Sequence, residues 1–144
     1  MASKQQVQVI AELHDAFTAR DVDRFVSHLT DDVIMRPSAF ISGRAEYLGV
    51  EDVRVGFAEI DALLERVQED VTIEPKRFYI DRGDDDLVLS LAVVTIIRED
   101  GETYSTEIAY LVRMADEKAA RFDAWLSHEE GLQQLKEPEE VGPS

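Results

Sequence analysis

Apolar residues recur at helical spacing in two stretches of the N-terminal half. In the first stretch Ile10, Leu13 and Phe17 lie three or four residues apart, and His14 shares their stripe. The second stretch keeps 3-4-3-4-3 spacing at Val50, Val53, Phe57, Ile60, Leu64 and Val67. We predict an amphipathic helix for each stretch and expect His14 to face the core.

A short helix and a short strand are predicted between these two helices. Asp21 is a suitable N-cap for a helix over residues 22–29, which the cluster Thr30-Asp31-Asp32 ends. The run Val33–Arg36 then meets Pro37, which disfavours helix at the residue before it and has no N–H to donate. The run is therefore predicted to be a brief strand.

The apolar spacing changes to two from Val71 onward, which indicates β-strands. Pro75 interrupts the first of these runs and favours an edge strand or a bulge. A last strand is predicted over residues 119–126, and a short helix over residues 128–135 follows it. Helices first and strands afterwards predict an α+β fold, with three N-terminal helices on one face of a curved antiparallel sheet.

Asp100-Gly101 separates two long β-rich runs and is typical of a two-residue hairpin turn. Such a turn pairs Glu99 with Glu102 and places Leu91 beside Tyr110, on a face that is almost wholly apolar. The opposite face is half apolar and needs a cover. We expect a two-fold homodimer to bury it at Ala92, Val94, Glu107, Ala109, Leu111 and Trp125.

Length and composition predict one globular domain. The chain has 144 residues, of which 44% are hydrophobic and 8% aromatic, and it contains no cysteine for a disulfide. We expect a single domain over residues 1–135. Residues 136–144 contain three Glu and two Pro and are expected to form a disordered acidic tail.

The charge bears on the expected partners. A formal net charge of −16 repels nucleic-acid phosphates and anionic membrane surfaces, so neither is expected to bind. The N-terminal residues lack the charged-then-apolar order of a signal peptide, and no stretch is apolar enough to span a bilayer. We therefore expect a cytoplasmic protein.

Neither a metal site nor a cofactor site is expected from the motifs. The sequence has no phosphate-binding glycine loop and no nucleophile elbow. Its three histidines, His14, His28 and His128, lie on different predicted elements. The acidic clusters Asp31-Asp32 and Asp84–Asp86 lie at predicted turns, where Asp satisfies its own backbone.

Four polar residues on or beside the predicted apolar face are candidates for ligand contact. His14 is either a satisfied core histidine or an acid–base residue. Tyr110 and Thr106 alternate on one strand face, where a hydroxyl can form a structural hydrogen bond or bind a ligand. Arg36 either extends into solvent or lies at a pocket mouth.

Several short segments together resemble a known family. They are Ala16-Phe17 with Asp21 and Asp23, Asp31-Asp32-Val33 with Arg36-Pro37, Ser42-Gly43, and Arg121-Phe122-Asp123-Ala124-Trp125-Leu126 with Glu129-Glu130 and Leu132. On these segments, residues 7–135 resemble SnoaL-like proteins of the nuclear transport factor 2-like superfamily. The resemblance implies a cystatin-like cone, in which three helices close a strongly bent sheet over a deep pocket.

The superfamily includes ketosteroid isomerases, limonene epoxide hydrolases and polyketide cyclases, so the fold alone does not assign an activity. The resemblance aligns the isomerases' base Asp with Arg36, their helix-one Tyr with Leu13 and their protonated Asp with Tyr110. It aligns the epoxide hydrolases' Asp-Arg-Asp set with Tyr110, Ile108 and Ala124. The usual carboxylates of both enzymes are missing here.

Two functions stay open. The first is a cavity that binds a small, largely apolar molecule, with ligand contacts from Arg36, Thr106, Phe17, Phe57, Phe122 and Ile108. If that cavity is an enzyme's, neutral His14 moves a proton while Tyr110 donates to a developing oxyanion. The alternative is a non-catalytic, dimeric binding or adaptor domain whose own aromatic residues close the pocket.

Overall fold

The computed structural model, which describes residues 4–37 and 44–142, has helices where the apolar spacing predicts them. Helix α1 spans Lys4–Thr18, α2 spans Val22–Val26 and α3 spans Val50–Val67. Asp21 caps α2, since its carboxylate accepts a hydrogen bond from the Arg24 N–H at 3.1 Å. The predicted extension of α2 to residue 29 is wrong, because Leu29 already pairs with Ala119 in the sheet.

Seven strands form one curved, unclosed sheet in the described ranges. They are β1 Leu29–Arg36, β2 Tyr47–Leu48, β3 Asp70–Asp81, β4 Asp84–Ile97, β5 Thr103–Ala115, β6 Lys118–Trp125 and β7 Pro138–Val141, with helix α4 His128–Leu132 between the last two. The spatial order is β2-β1-β6-β5-β4-β3-β7, and among the strand pairs of the described residues only β1–β6 is parallel. Helices α1 to α3 pack on one face, here called the inner face, which confirms the predicted α+β cone. The Ser42-Gly43 segment lies outside the described residues.

The break at Pro75 is a bulge, one of the two alternatives predicted for it. The register of β3 against β4 shifts between Pro75 and Arg77. Ile73 before the shift and Phe78 after it both lie in the core, although they are five positions apart and a regular strand would turn them to opposite faces. The bulge therefore lets both halves of β3 present apolar side chains to the helices.

The β4–β5 hairpin differs from its prediction by one residue of register. Its loop has three residues, 99–101: the Arg98 N–H donates to the Glu102 carbonyl at 2.8 Å, and the Gly101 N–H donates to the Arg98 carbonyl at 2.9 Å. Gly101 has a φ of +88°, whereas Asp100 has a negative φ. A two-residue type I′ turn needs a positive φ at both positions, so this sequence instead forms a type I turn closed by one left-handed glycine.

This register decides which β4 residues face the helices. Ser90 lies opposite Tyr110, and Leu91 lies on the other, outer face of the sheet. Ala92 and Val94 are buried in the core beneath the helices. The predicted dimer surface is therefore wrong for Ala92 and Val94, because an inward-facing side chain cannot contact a second subunit.

The C-terminal segment covers the centre of the outer face. Gly131 of α4 lies so close to Ala109 that a Cβ at position 131 would overlap it. Leu135 is buried among the odd-numbered leucines of β4, and Leu132 packs beside it. Strand β7 then pairs with β3 over residues 78–81. None of the helices in the described ranges combines the length and apolar composition needed to cross a bilayer.

Asp81 anchors this segment. Its carboxylate is 3% exposed and accepts hydrogen bonds from the N–H groups of Gly83 at 2.9 Å, Lys136 at 3.0 Å and Glu137 at 3.1 Å. Burial raises the pKa of Asp81, but the three N–H donors outweigh burial and hold that pKa below its usual value. The prediction of disorder is wrong for residues 136–141, because their backbone pairs with Asp81 and with β3.

Candidate functional site

A cavity of about 60 Å³ lies between α3 and the inner face of the sheet. Its aromatic lining consists of Phe17, Phe25, Tyr47, Phe57, Tyr110 and Phe122. Its aliphatic lining consists of Met35, Pro37, Val53, Ile60 and Ile73, and His14 and Gly56 complete the wall. The predicted contacts Phe17, Phe57 and Phe122 therefore lie where the sequence places them.

Ring contacts hold the aromatic wall in place. The Phe57 ring centroid lies 5.7 Å from that of Phe17, edge to face, and 4.9 Å from that of Phe25. On the sheet side, the centroids of Tyr110 and Phe122 are 4.8 Å apart, with an angle of 42° between the ring planes. Tilted and edge-to-face pairs at these distances are favourable, so the lining is a packed wall with few alternative positions.

His14 faces the cavity from α1, as its helical phase predicts. It is 2% exposed, and its Nε2 atom lies 2.8 Å from the Ser90 hydroxyl oxygen. The Ser90 hydroxyl can donate to Nε2 when that atom is unprotonated, or accept from it when it carries the proton. Burial lowers the pKa of His14 to about 4, so the imidazole is neutral near pH 7.

Tyr110 faces the same cavity from β5. Its ring centroid lies 5.2 Å from the His14 ring centroid, and the residue is 2% exposed. Burial raises the pKa of its phenol, which keeps the hydroxyl protonated at any physiological pH. Within the described part of the chain, no protein group forms a hydrogen bond with that hydroxyl.

Three predicted ligand contacts lie away from the cavity. Arg36 is half exposed, and its Nε donates to the Glu46 carboxylate at 2.7 Å. Its neighbours Met35 and Pro37 line the cavity, and alternation along a strand turns Arg36 to the other face. Ile108 packs in the core, and Thr106 is half-buried farther along β5.

Ser90, Gly56 and Tyr47 are among the residues at this site that sequence reasoning missed. The predicted pairing of Leu91 with Tyr110 puts Ser90 on the outer face, whereas a three-residue loop at 99–101 places it inside. Gly56 is a buried glycine inside α3, next to Phe57 of the apolar stripe, and a glycine in a helix interior is a sign that another group approaches the helix there. Tyr47 carries no local signal, because it lies on a two-residue strand.

The cavity carries no charged lining residue among the residues described, and its polar groups are neutral. In the same ranges, no three His, Asp or Glu side chains are grouped so as to hold a metal ion. The chemistry available is therefore hydrogen bonding by a phenol and an imidazole inside an apolar, aromatic enclosure.

A family model described as a SnoaL-like domain matches residues 10–122, which is most of the chain. Comparison with curated protein sequences gives no match. The nuclear transport factor 2-like fold predicted from the resemblance is confirmed by solved structures.

Three solved structures illustrate the likeness. TerC co-crystallized with polyporic acid is 19% identical, with a TM-score of 0.69 over 91% of this chain and 97% of that one. A hypothetical protein with a ketosteroid isomerase-like fold from Catenulispora acidiphila DSM 44928, in complex with trimethylamine, is 18% identical, with a TM-score of 0.66 over 90% and 93%. A computationally designed 17-OHP binder is 15% identical, with a TM-score of 0.67 over 87% and 95%. At such identities the likeness shows the fold alone.

Proposed function

The chain belongs to the SnoaL-like domain family, and from that premise we propose that it binds a small, uncharged, largely apolar molecule through an oxygen atom paired with Tyr110. The observation that carries this proposal is the Tyr110 hydroxyl, which has no hydrogen-bond partner among the described residues and lies on the wall of an apolar cavity, in a residue only 2% exposed. A buried polar group without a partner costs free energy, and a ligand oxygen removes that cost.

The neutral lining selects against charged ligands. His14 is neutral near pH 7, Tyr110 is protonated, and Arg36, the cation predicted at the pocket mouth, pairs with Glu46 on the other side of β1. An unpaired anion transferred into such a cavity loses its hydration without a compensating charge. Neutral ketones, aldehydes and alcohols are therefore favoured over carboxylic acids.

The volume limits the ligand's size. A buried water molecule needs roughly 10–15 Å³ of cavity, so about 60 Å³ corresponds to a ligand of around six non-hydrogen atoms. Cyclopentanone has this size and one acceptor oxygen. It is a suitable first probe, and methylcyclopentane and cyclobutanecarboxylate are its matched controls without an acceptor and with a negative charge.

We expect Tyr110→Phe to weaken cyclopentanone binding about five-fold, which corresponds to ~1 kcal/mol for one lost hydrogen bond. Titration followed by amide chemical shifts measures the affinity, and methylcyclopentane binding should not change. Tyr79→Phe, on the half-buried outer side of β3, is the matched control. Equal cyclopentanone affinity in wild type and Tyr110→Phe, or tighter binding of the carboxylate, would contradict the proposal.

An acid–base enzyme is less well supported than binding. A general base works best when its pKa is near the working pH, and burial holds the pKa of His14 at about 4. Its Nε2 is also engaged by Ser90. Isomerase or cyclase chemistry with His14 and Tyr110 stays a prediction.

The alternative function is a dimeric adaptor with a closed pocket. The cavity volume of about 60 Å³ favours this alternative, since pockets for drug-sized ligands measure roughly 300–1,000 Å³. Leu111 and Trp125 stay half-buried on the outer face beside the C-terminal segment, and Leu126 is 60% exposed. We expect light scattering to give twice the monomer mass at micromolar concentration, and Leu111→Arg to give the monomer mass. A monomer mass for the wild type would contradict the predicted dimer.

A further inference from the structure

We propose that Tyr47 and Gly56 together set the size of the ligand that the cavity admits. The inference rests on the proposed function of binding, and it concerns the part of the cavity wall that β2 and α3 form. Both wall residues line the cavity, Tyr47 from strand β2 and Gly56 from helix α3.

Gly56 makes room for the Tyr47 ring. Tyr47 is 4% exposed, and its ring lies directly against the helix backbone. A Cβ at position 56 would overlap ring atoms Cε1 and Cζ of Tyr47. Glycine is one of the least favourable residues inside a helix, so the position is explained by what it allows the tyrosine to do.

The opposite side of the ring is also held. The Arg44 guanidinium carbon lies 4.2 Å from the centroid of the Tyr47 ring, in a cation–π arrangement. Arg44 in turn donates to the Asp52 carboxylate at 2.9 Å, and that carboxylate accepts the Leu48 N–H, also at 2.9 Å. The ring thus lies between α3 and Arg44. The chain is bound to Asp52 of α3 both before Tyr47, through Arg44, and after it, through Leu48.

A side chain at position 56 has one direction in which to displace the ring. Val53, Phe57 and Ile60 surround Gly56 on the face of α3 that lines the cavity. Because Arg44 and its carboxylate partner hold the outer side of Tyr47, we expect the ring to move toward the open volume. The smallest substitution, Gly56→Ala, would therefore reduce the cavity without altering its polar groups.

The test compares three ketones of increasing size: cyclopentanone, acetophenone and 2-acetonaphthone. We expect Gly56→Ala to lower the affinity for acetophenone relative to cyclopentanone about tenfold, as overpacking does. We expect Tyr47→Leu to raise the affinity for 2-acetonaphthone relative to cyclopentanone about tenfold, because it removes part of the wall. Ala58→Ser, at an exposed position of α3, should leave both ratios unchanged.

Stability supplies a second readout, which covers the case that Gly56→Ala folds poorly. In the wild-type background Gly56→Ala should lower the midpoint of thermal unfolding. In the Tyr47→Leu background the same substitution should raise the midpoint, since alanine favours helix and the overlapping ring is gone. The same sign in both backgrounds, or unchanged ligand ratios in Gly56→Ala and Tyr47→Leu, would overturn the inference while the proposed function stands. A wild type that binds none of the ketones overturns both.

Discussion

We expect the free energy of unfolding to fall by about 3 kcal/mol as the pH is lowered from 7 to 4, because folded His14 resists protonation. Burial lowers the pKa of His14 from 6.5 to about 4, and the imidazole is held between Ser90 and the Tyr110 ring. An unfolded chain takes up the proton near pH 6.5. The unfolded state therefore binds more protons throughout this window, and stability declines as the pH falls.

Other titrating groups act mainly at lower pH. Asp52, Asp81 and Asp84 have pKa values held below the usual 3.8 in the folded state. A carboxylate with a lowered pKa contributes stability above its unfolded pKa and loses that contribution as the pH falls through the folded value. The interval between pH 6.5 and 5 therefore reports on His14 with little carboxylate contribution.

His14→Gln separates titration from hydrogen bonding. The glutamine amide can still pair with Ser90 but cannot take up a proton in this range. Urea unfolding at a series of pH values should show a decline between pH 6.5 and 5 in wild type and almost none in His14→Gln. His28→Gln, at a half-buried position, is the matched control and should keep the decline. A decline that persists in His14→Gln would show that His14 does not cause it.

The second large effect is expected at Asp81, where loss of the carboxylate should cost about 3 kcal/mol of unfolding free energy. Three backbone N–H groups donate to this buried carboxylate, and hydrogen bonds to charged groups are the strong ones. Asp81→Ala leaves those donors without a partner. We expect residues 136–141 to detach from β3 and to expose the leucines of the outer face.

Amide hydrogen exchange can locate the effect of Asp81→Ala. Protection should be lost first at Lys136, Glu137 and strand β7, while the amides of β4 and β5 stay protected. Asp86→Ala is the matched control, an exposed aspartate in the same hairpin, and should change neither protection nor stability. If β7 keeps its protection in Asp81→Ala, the carboxylate is not what holds the segment.

Several elements follow from the local sequence alone. The bounds of α3, Val50 and Val67, coincide with the predicted stripe, because the spacing of its apolar residues is a property of eighteen consecutive positions. The Asp21 cap and the bulge at Pro75 are equally local, since each depends on one side chain and its own backbone. These elements in their chain order are enough to predict the α+β class, whereas the family followed from the resemblance of short segments.

Part of the site also follows from local periodicity. His14 and Phe17 face the cavity because of their phase on α1, and Phe57 because of its phase on α3. Tyr110 faces inward because side chains alternate between the two faces of β5, and Tyr110 shares its face with the buried Ile108 and Val112. The register error at the hairpin changed the partner of Tyr110 without changing its face.

Only the tertiary structure decided the partners of these residues. Ser90 is 76 positions from His14, and whether it lies inside or outside depends on one residue of loop geometry. Lys136 is 55 positions from Asp81, so a tail whose composition is typical of disorder is ordered by an acceptor carboxylate from a distant part of the chain. Periodicity assigns a side chain to a face of its own element, whereas a hydrogen bond or a ring contact between distant residues exists only once two elements have been brought together in one register.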